Sequence, residues 1–135
     1  MSELVDSKTL YQATCASNSE PYALQNIGDM MSPEFSESCI IIVDPSMPIH
    51  HEAYVIVDFK DELYFRQYIE ERHKRILRCL NSGYEDIELS DIFELRGCIV
   101  QQKQRKQKSL HYYLPNEITG ELEFNMNGKV NLIDS

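Results

Sequence analysis

The sequence predicts a mainly β domain. Runs of six or seven residues rich in Val, Ile and aromatic side chains recur between residue 38 and about residue 102. Clusters of Asp, Pro, Ser, Asn and Gly, which favour turns, separate them. A third sign lies near the end, where the pair Asn127-Gly128, a strong hairpin signal, sits between two further short runs.

Residues 1–20 are polar and lead through "CASNSEP" into Pro21, as an N-terminal arm would. The stretch "LVDSKTLYQ" within this arm allows a short helix. "CIIIVD" (39–44) is a β-branched strand closed by the turn "DPSMP", and "AYVIVDF" (53–59) is a second strand. "KDE" (60–62) turns the chain into "LYFRQYI" (63–69), and "RILRCL" (75–80) ends at "NSG". "DIFELRGCIVQQ" (91–102) closes the set, with Gly97 as a bulge or a point of close approach. On propensity alone, residues 62–80 equally allow one helix, with Leu63, Ile69, Leu77 and Leu80 apolar and "EERHKR" solvated. Residues 103–135 form a separate extension. Its basic run "KQRKQK" (103–108) precedes three short strands, with turns at "PNEITG" and "NMNGK".

The 135 residues suit one domain, and an apolar share of 42% suits one modest core. A formal net charge of −9 disfavours autonomous binding to DNA or RNA, which rests on Lys and Arg displacing counterions. The basic run alone offers few phosphate contacts and reads more simply as a solvated linker. Cys15, Cys39, Cys79 and Cys98 form no CxxC pair and no zinc-type spacing. Cys39, Cys79 and Cys98, each beside apolar residues, read as buried free thiols in a reducing cytoplasm. The N-terminus lacks a signal-peptide core, and the longest apolar run, "CIIIV", is too short to span a bilayer. Cytoplasmic localisation is expected, with no membrane contact, cofactor, bound metal or small-molecule substrate. His50 and His51 are adjacent, so on an extended chain they point to opposite faces and make a poor shared metal site.

One stretch, "IGDMMSPEF" (27–35), reads as the frame of an active-site loop. It is followed in order by "CIIIVDP", "AYVIVDF", "ELYFRQYIE", "LRCLNSGYEDIEL" and "FELRGCIVQQ". This succession resembles the C-terminal peptidase-like domain of LexA-type and phage repressors. SOS polymerase-accessory proteins and type I signal peptidases share its fold. The resemblance covers residues 27–102. It implies a compact domain of strongly bent strands (21–102) and favours a hairpin over a helix for 62–80.

The resemblance also implies a catalytic pair. The family motif is G-D-S-M-x-P, with serine as nucleophile, and a later lysine, neutral in a dry pocket, accepts its proton. Here Gly28, Asp29, Met31 and Pro33 keep the frame, but Met30 falls on the nucleophile and Arg66 on the base. A thioether has no proton to lose, and a guanidinium stays charged at physiological pH. The expected reading is therefore a pseudo-peptidase. Two family Gly-Asp turns are also replaced, by Ser38-Cys39 and Glu52-Ala53, which puts local loop geometry in question. No Ala-Gly or Cys-Gly bond precedes the motif, and 26 residues before Ile27 leave no room for a helix-turn-helix domain.

Ser32 lies two residues beyond the nucleophile position, and Lys60 and Lys74 read as turn lysines, so a rescued Ser/Lys pair is not expected. Ser32 reads more simply as a turn cap. Arg66, if buried, needs a partner, for which Asp29, Asp58 or Glu62 are available, while Met30 fills the vacated space. The leading expectation is a catalytically inactive module acting by homodimerisation, or by pairing with a full-length repressor, in phage or SOS-type transcriptional regulation. Its pairing surface would include 93–102 and the tail. The alternatives are an accessory subunit like the SOS polymerase partners, an active serine peptidase with an unexpected dyad, or an unrelated β-domain binding protein.

Overall fold

The computed structural model describes residues 4–5, 20–90 and 92–131. Its elements are all strands: β1 (Leu4–Val5), β2 (Tyr22–Asn26), β3 (Ile40–Asp44), β4 (Tyr54–Phe59), β5 (Glu62–Glu71), β6 (Lys74–Arg78), β7 (Ile87–Leu89), β8 (Glu94–Lys103), β9 (Leu110–Pro115) and β10 (Leu122–Val130). They form one antiparallel sheet in the order β1-β2-β3-β8-β4-β5-β6-β7, while β9 pairs with β8 and with β10.

The 62–80 ambiguity resolves as a hairpin. Glu71 pairs with Lys74 and Gln67 with Arg78, which leaves Arg72 and His73 as the tip. The preceding turn is equally tight. Lys60 and Asp61, at φ 52° and 66°, link Phe59 to its partner Glu62. Two left-handed residues match the twist of the flanking strands.

Side chains on β4 alternate between two cores. Tyr54 and Ile56 join Leu24, Met31, Phe35, Ile41, Phe65, Ile99 and Tyr112 on one face. Val55, Val57 and Phe59 join Tyr68, Leu77, Leu89 and Cys98 on the other. Burial on both faces is why β4 reads as a near-continuous apolar run.

β8 bends because it carries extra residues. Opposite β4 its pairing skips from Gly97 to Leu95, and opposite β3 from Gln101 to Ile99. Such bulges kink a strand and strengthen its twist. The Arg96 side chain at the first bulge reaches Asp58 at 2.8 Å and Glu94 at 3.2 Å. Gly97 is a point of close approach, as expected. A Cβ there would stand 2.6 Å from Val43 Cγ1 and 3.0 Å from the Asp44 carbonyl.

Three expectations are corrected. Leu4 and Val5 pair as a strand with Asn26 and Gln25, so no helix begins there; residues 6–19 of the expected helix and arm lie outside the described residues, as does Cys15. β2 is a strand the pattern did not announce. Among its described residues the tail has two strands instead of three, because Asn127-Gly128 is no hairpin turn. Phe124 pairs with Tyr113 and Lys129 with His111, so residues 125–128 bulge within β10 opposite Tyr112. A Cβ on Gly128 would stand 2.8 Å from Leu110 Cβ and 2.9 Å from the Tyr112 ring. The glycine admits that ring instead of reversing the chain.

Candidate functional site

The loop 27–36 hangs between β2 and β3, and two buried side chains pin it. Met31 and Phe35 enter the first core, where Phe35 meets Tyr54 and Phe65 edge-on at 4.8 and 4.9 Å and stacks on Tyr112 at 5.1 Å. Edge-on and offset-stacked contacts are the favoured geometries for aromatic rings. Within the loop, the Ser32 N–H donates to the Asp29 carbonyl at 3.1 Å and the Phe35 N–H to the Met31 carbonyl at 3.0 Å. Gly28 supplies the left-handed turn of entry, at φ 96°.

The turn after β6 clamps one side of this loop. The Asn81 N–H donates to the Met30 carbonyl at 3.0 Å, and Asn81 Nδ2 to the Asp29 carbonyl at 3.1 Å. The Tyr84 hydroxyl donates to Asp29 Oδ1 at 2.6 Å, and this bond to a carboxylate raises the phenol's pKa above its usual value. The acceptor Asp29 and the donors Asn81 and Tyr84 are thus one unit, far apart in sequence.

A second unit holds the other side. Gln102 Nε2 donates to the Glu34 carbonyl at 2.9 Å and to the Tyr112 hydroxyl at 2.8 Å. That hydroxyl donates onward to Glu34 Oε2 at 2.6 Å, which also accepts the Gly128 N–H at 3.1 Å. The Glu34 carboxylate therefore ties the loop to the bulge of β10.

At the centre of the loop, Met30 Sδ lies 3.4 Å from Arg66 Nη2. Arg66 is buried on β5, where strand alternation places it on the face opposite Phe65 and Gln67. Its Nη1 donates to the Phe65 carbonyl at 2.9 Å, and its guanidinium lies 5.3 Å from the Tyr64 ring centre. A carbonyl dipole and an aromatic face both favour a cation.

Residues 1–100 match the family model described as Peptidase S24-like. The chain belongs to the peptidase S24-like family. The order of its motifs and its bent antiparallel sheet agree with that membership. Comparison with curated proteins gives no match.

In this S24-like domain Met30 and Arg66, the two residues expected at the nucleophile and base positions, are brought together. Gly28, Asp29, Met31 and Pro33 form the turn around them. One expectation changes. Asp29 is held by Tyr84 and Asp58 by Arg96, instead of either serving as the acceptor named for Arg66. Ser32 Oγ reaches the Phe35 carbonyl at 3.5 Å, in a turn-closing position. Lys60 and Lys74 are exposed on hairpins. The two histidines face different partners: His50 lies 2.6 Å from the Tyr113 hydroxyl, while His51 Nδ1 accepts the Glu70 N–H at 3.0 Å. Cys39, Cys79 and Cys98 are buried thiols.

The turns at Ser38-Cys39 and Glu52-Ala53 have a glycine-like backbone. Ser38 sits at φ 69° and Glu52 at φ 73°. Both are left-handed conformations that disfavour residues with a Cβ. Their bonds are intact: the Ser38 N–H donates to the Asn26 carbonyl at 2.8 Å, and the Glu52 N–H to the Tyr68 carbonyl at 2.6 Å.

Two further observations concern the surface. The segment 93–102, expected to be a pairing surface, is mostly β8, bordered by β3, β4 and β9 and so not a sheet edge. The basic run is a largely exposed loop from the end of β8 toward β9. Among the described residues, no helix is long and apolar enough to cross a membrane.

Sequence reasoning missed Glu34, Asn81, Tyr84, Gln102 and Tyr112. Each is polar or amphipathic, and a lone polar residue carries no signal of a partner many residues away. The one available hint was that Asn81 and Tyr84 lie in the block "LNSGYEDIEL", part of the family resemblance.

Proposed function

We propose that the chain is a non-hydrolytic S24-like domain that acts by protein–protein association. The observation that carries this reading is the approach of Met30 Sδ to Arg66 Nη2 at 3.4 Å. Serine–lysine chemistry needs a hydroxyl nucleophile and a neutral amine within hydrogen-bond reach. Here the same place holds a thioether and a guanidinium, which supply neither an acyl acceptor nor a proton acceptor. The surrounding turn is retained by Met31, Phe35, Asn81 and Tyr84, which hold a shape independent of the chemistry.

The first partner in this reading is a second copy of the chain. A full-length repressor carrying the same domain is a related partner, which would place the chain in phage or SOS-type transcriptional regulation inside the cell. The overall negative charge supports a protein partner over a nucleic acid. The test is intact-mass measurement after prolonged incubation of the full chain, alone and mixed with a repressor of this family. The reading expects every mass unchanged, together with self-association or a mixed complex by sedimentation. Discrete fragments that disappear with Ser32→Ala would instead identify an active peptidase. Recovery of a DNA polymerase as the bound protein would favour the accessory-subunit reading.

A further inference from the structure

We propose that Tyr113 and His50 form a redox-active pair, outside the loop 27–36, at which a one-electron oxidant takes an electron from the phenol while its proton passes to the imidazole. The proposal does not depend on the protein-association reading above.

The hydrogen positions follow from the partners. His50 Nδ1 lies 2.8 Å from the His51 carbonyl, and a carbonyl oxygen only accepts, so Nδ1 carries the ring's hydrogen. In the neutral ring Nε2 is then the acceptor, and the Tyr113 hydroxyl, 2.6 Å away, donates to it. One nitrogen is thus held by the backbone while the other faces the phenol's proton. Phe124 packs against both rings, 4.8 Å from His50 and 5.4 Å from Tyr113. All three side chains are half-buried.

Oxidising a phenol makes its hydroxyl strongly acidic, so the proton must leave with the electron. Losing the proton first is closed to Tyr113, because burial holds its phenol well above the usual range. A base already in contact removes the obstacle. One electron goes to the oxidant, and the Oη proton goes to His50 Nε2. What remains is a neutral phenoxyl radical beside an imidazolium, with the oxidant reduced by one electron. A one-electron reductant such as ascorbate supplies the electron that reverses the step, and the proton returns from Nε2 to Oη.

The acceptors of three other tyrosines are weaker bases. The Tyr54 hydroxyl donates to the Met126 carbonyl at 2.7 Å, a group with almost no affinity for a proton. Tyr112 and Tyr84 donate to the carboxylates of Glu34 and Asp29, both at 2.6 Å. A carboxylate is by type a weaker base than an imidazole. The stronger the base, the less oxidising power the phenol demands, so among these four the radical comes to rest on Tyr113. Neighbouring rings feed it. Phe124 lies 5.9 Å from Tyr54, which lies 5.3 Å from Tyr112. A radical formed on either tyrosine can therefore pass to Tyr113 over short steps.

The test uses photogenerated tris(bipyridyl)ruthenium(III) as oxidant, at less than one equivalent of the full chain, in mildly alkaline buffer where an imidazole is ordinarily unprotonated. A nitroso spin trap captures the radical, and peptide mass spectrometry places the adduct. The expected result is an adduct on Tyr113 ahead of Tyr84, although Tyr84 is the more accessible, at 41% exposed. His50→Gln keeps an acceptor but removes the base, and should cut the yield at Tyr113 relative to Tyr84 by roughly a hundredfold, the low end of what a positioned base contributes. Loosened packing alone would expose Tyr113 and raise that yield. Circular dichroism follows the variant's fold. Oxidation of the wild-type chain in heavy water gives a second reading that needs no variant, and it should be slower than in light water. An adduct that maps first to Tyr84 overturns the proposal. So does a Tyr113 yield that His50→Gln leaves unchanged or raises, and so do equal rates in light and heavy water.

Discussion

Met30 and Arg66 lie 36 positions apart, and their side chains meet at 3.4 Å between Sδ and Nη2. The thioether is a weak acceptor and an adaptable filler. The guanidinium is further met by the Phe65 carbonyl and the Tyr64 ring.

Restoring both side chains together should restore reactivity. A lysine at position 66 would stand where Arg66 is only 5% exposed, and such burial disfavours its charged form. The double change Met30→Ser, Arg66→Lys is therefore expected to react with a fluorophosphonate probe, while either single change does not. Labelling is read by intact mass. An inert double variant would mean that the pocket has lost more than its two reactive groups.

Ser38 and Glu52 hold left-handed backbone with a Cβ attached, at φ 69° and 73°. Ser38→Gly and Glu52→Gly are each expected to stabilise the domain by about 1 kcal/mol, the relief of left-handed strain less the added freedom of the unfolded chain. The two sites lie on separate loops, so their effects should add. Urea unfolding midpoints check this, with the m-value unchanged.

Gly97→Ala should act in the opposite direction. The new Cβ would meet Val43 Cγ1 at 2.6 Å and the Asp44 backbone at 3.0 Å, in the middle of the sheet. Overpacking of this kind destabilises by about 1–3 kcal/mol. The same unfolding measurement detects it.

Burial raises the thiol of Cys39 to about 11, and burial with the nearby Asp44 charge raises that of Cys98 to about 12. Unfolded, both ionise near 9.0. Below that pH neither state loses the proton, and the contribution to stability is complete. Above it the unfolded chain gives up protons that the fold retains, so stability falls as pH rises. The slope is about 1.4 kcal/mol per pH unit for each thiol until its folded value is reached. Urea midpoints should drop above pH ~9. The drop should be shallower in Cys39→Ala and Cys98→Ala.

The sheet was legible wherever local chemistry decided it. β3 and β4 announced themselves by β-branched runs, and the turn at Lys60-Asp61 by its position between two such runs. Residues 62–80 were ambiguous because Leu, Gln, Glu and Arg serve helix and strand alike; cross-strand partners settled it. β2 was missed because only Tyr22, Leu24 and Asn26 face inward, too short an alternation to stand out. Asn127-Gly128 misled because a turn signal and a close-approach glycine look identical until the Tyr112 ring is placed. The site divided in the same way. Met30 and Arg66 came from a family resemblance, whereas the Glu34–Tyr112 bond spans 78 residues and has no local signature.

The central claim is that this S24-like domain does not hydrolyse. It is tested most directly by exposing the wild-type full chain to a fluorophosphonate at neutral and alkaline pH and measuring its intact mass. The account predicts an unmodified mass under both conditions. A stoichiometric adduct mapped to Ser32, and lost in Ser32→Ala, would contradict it.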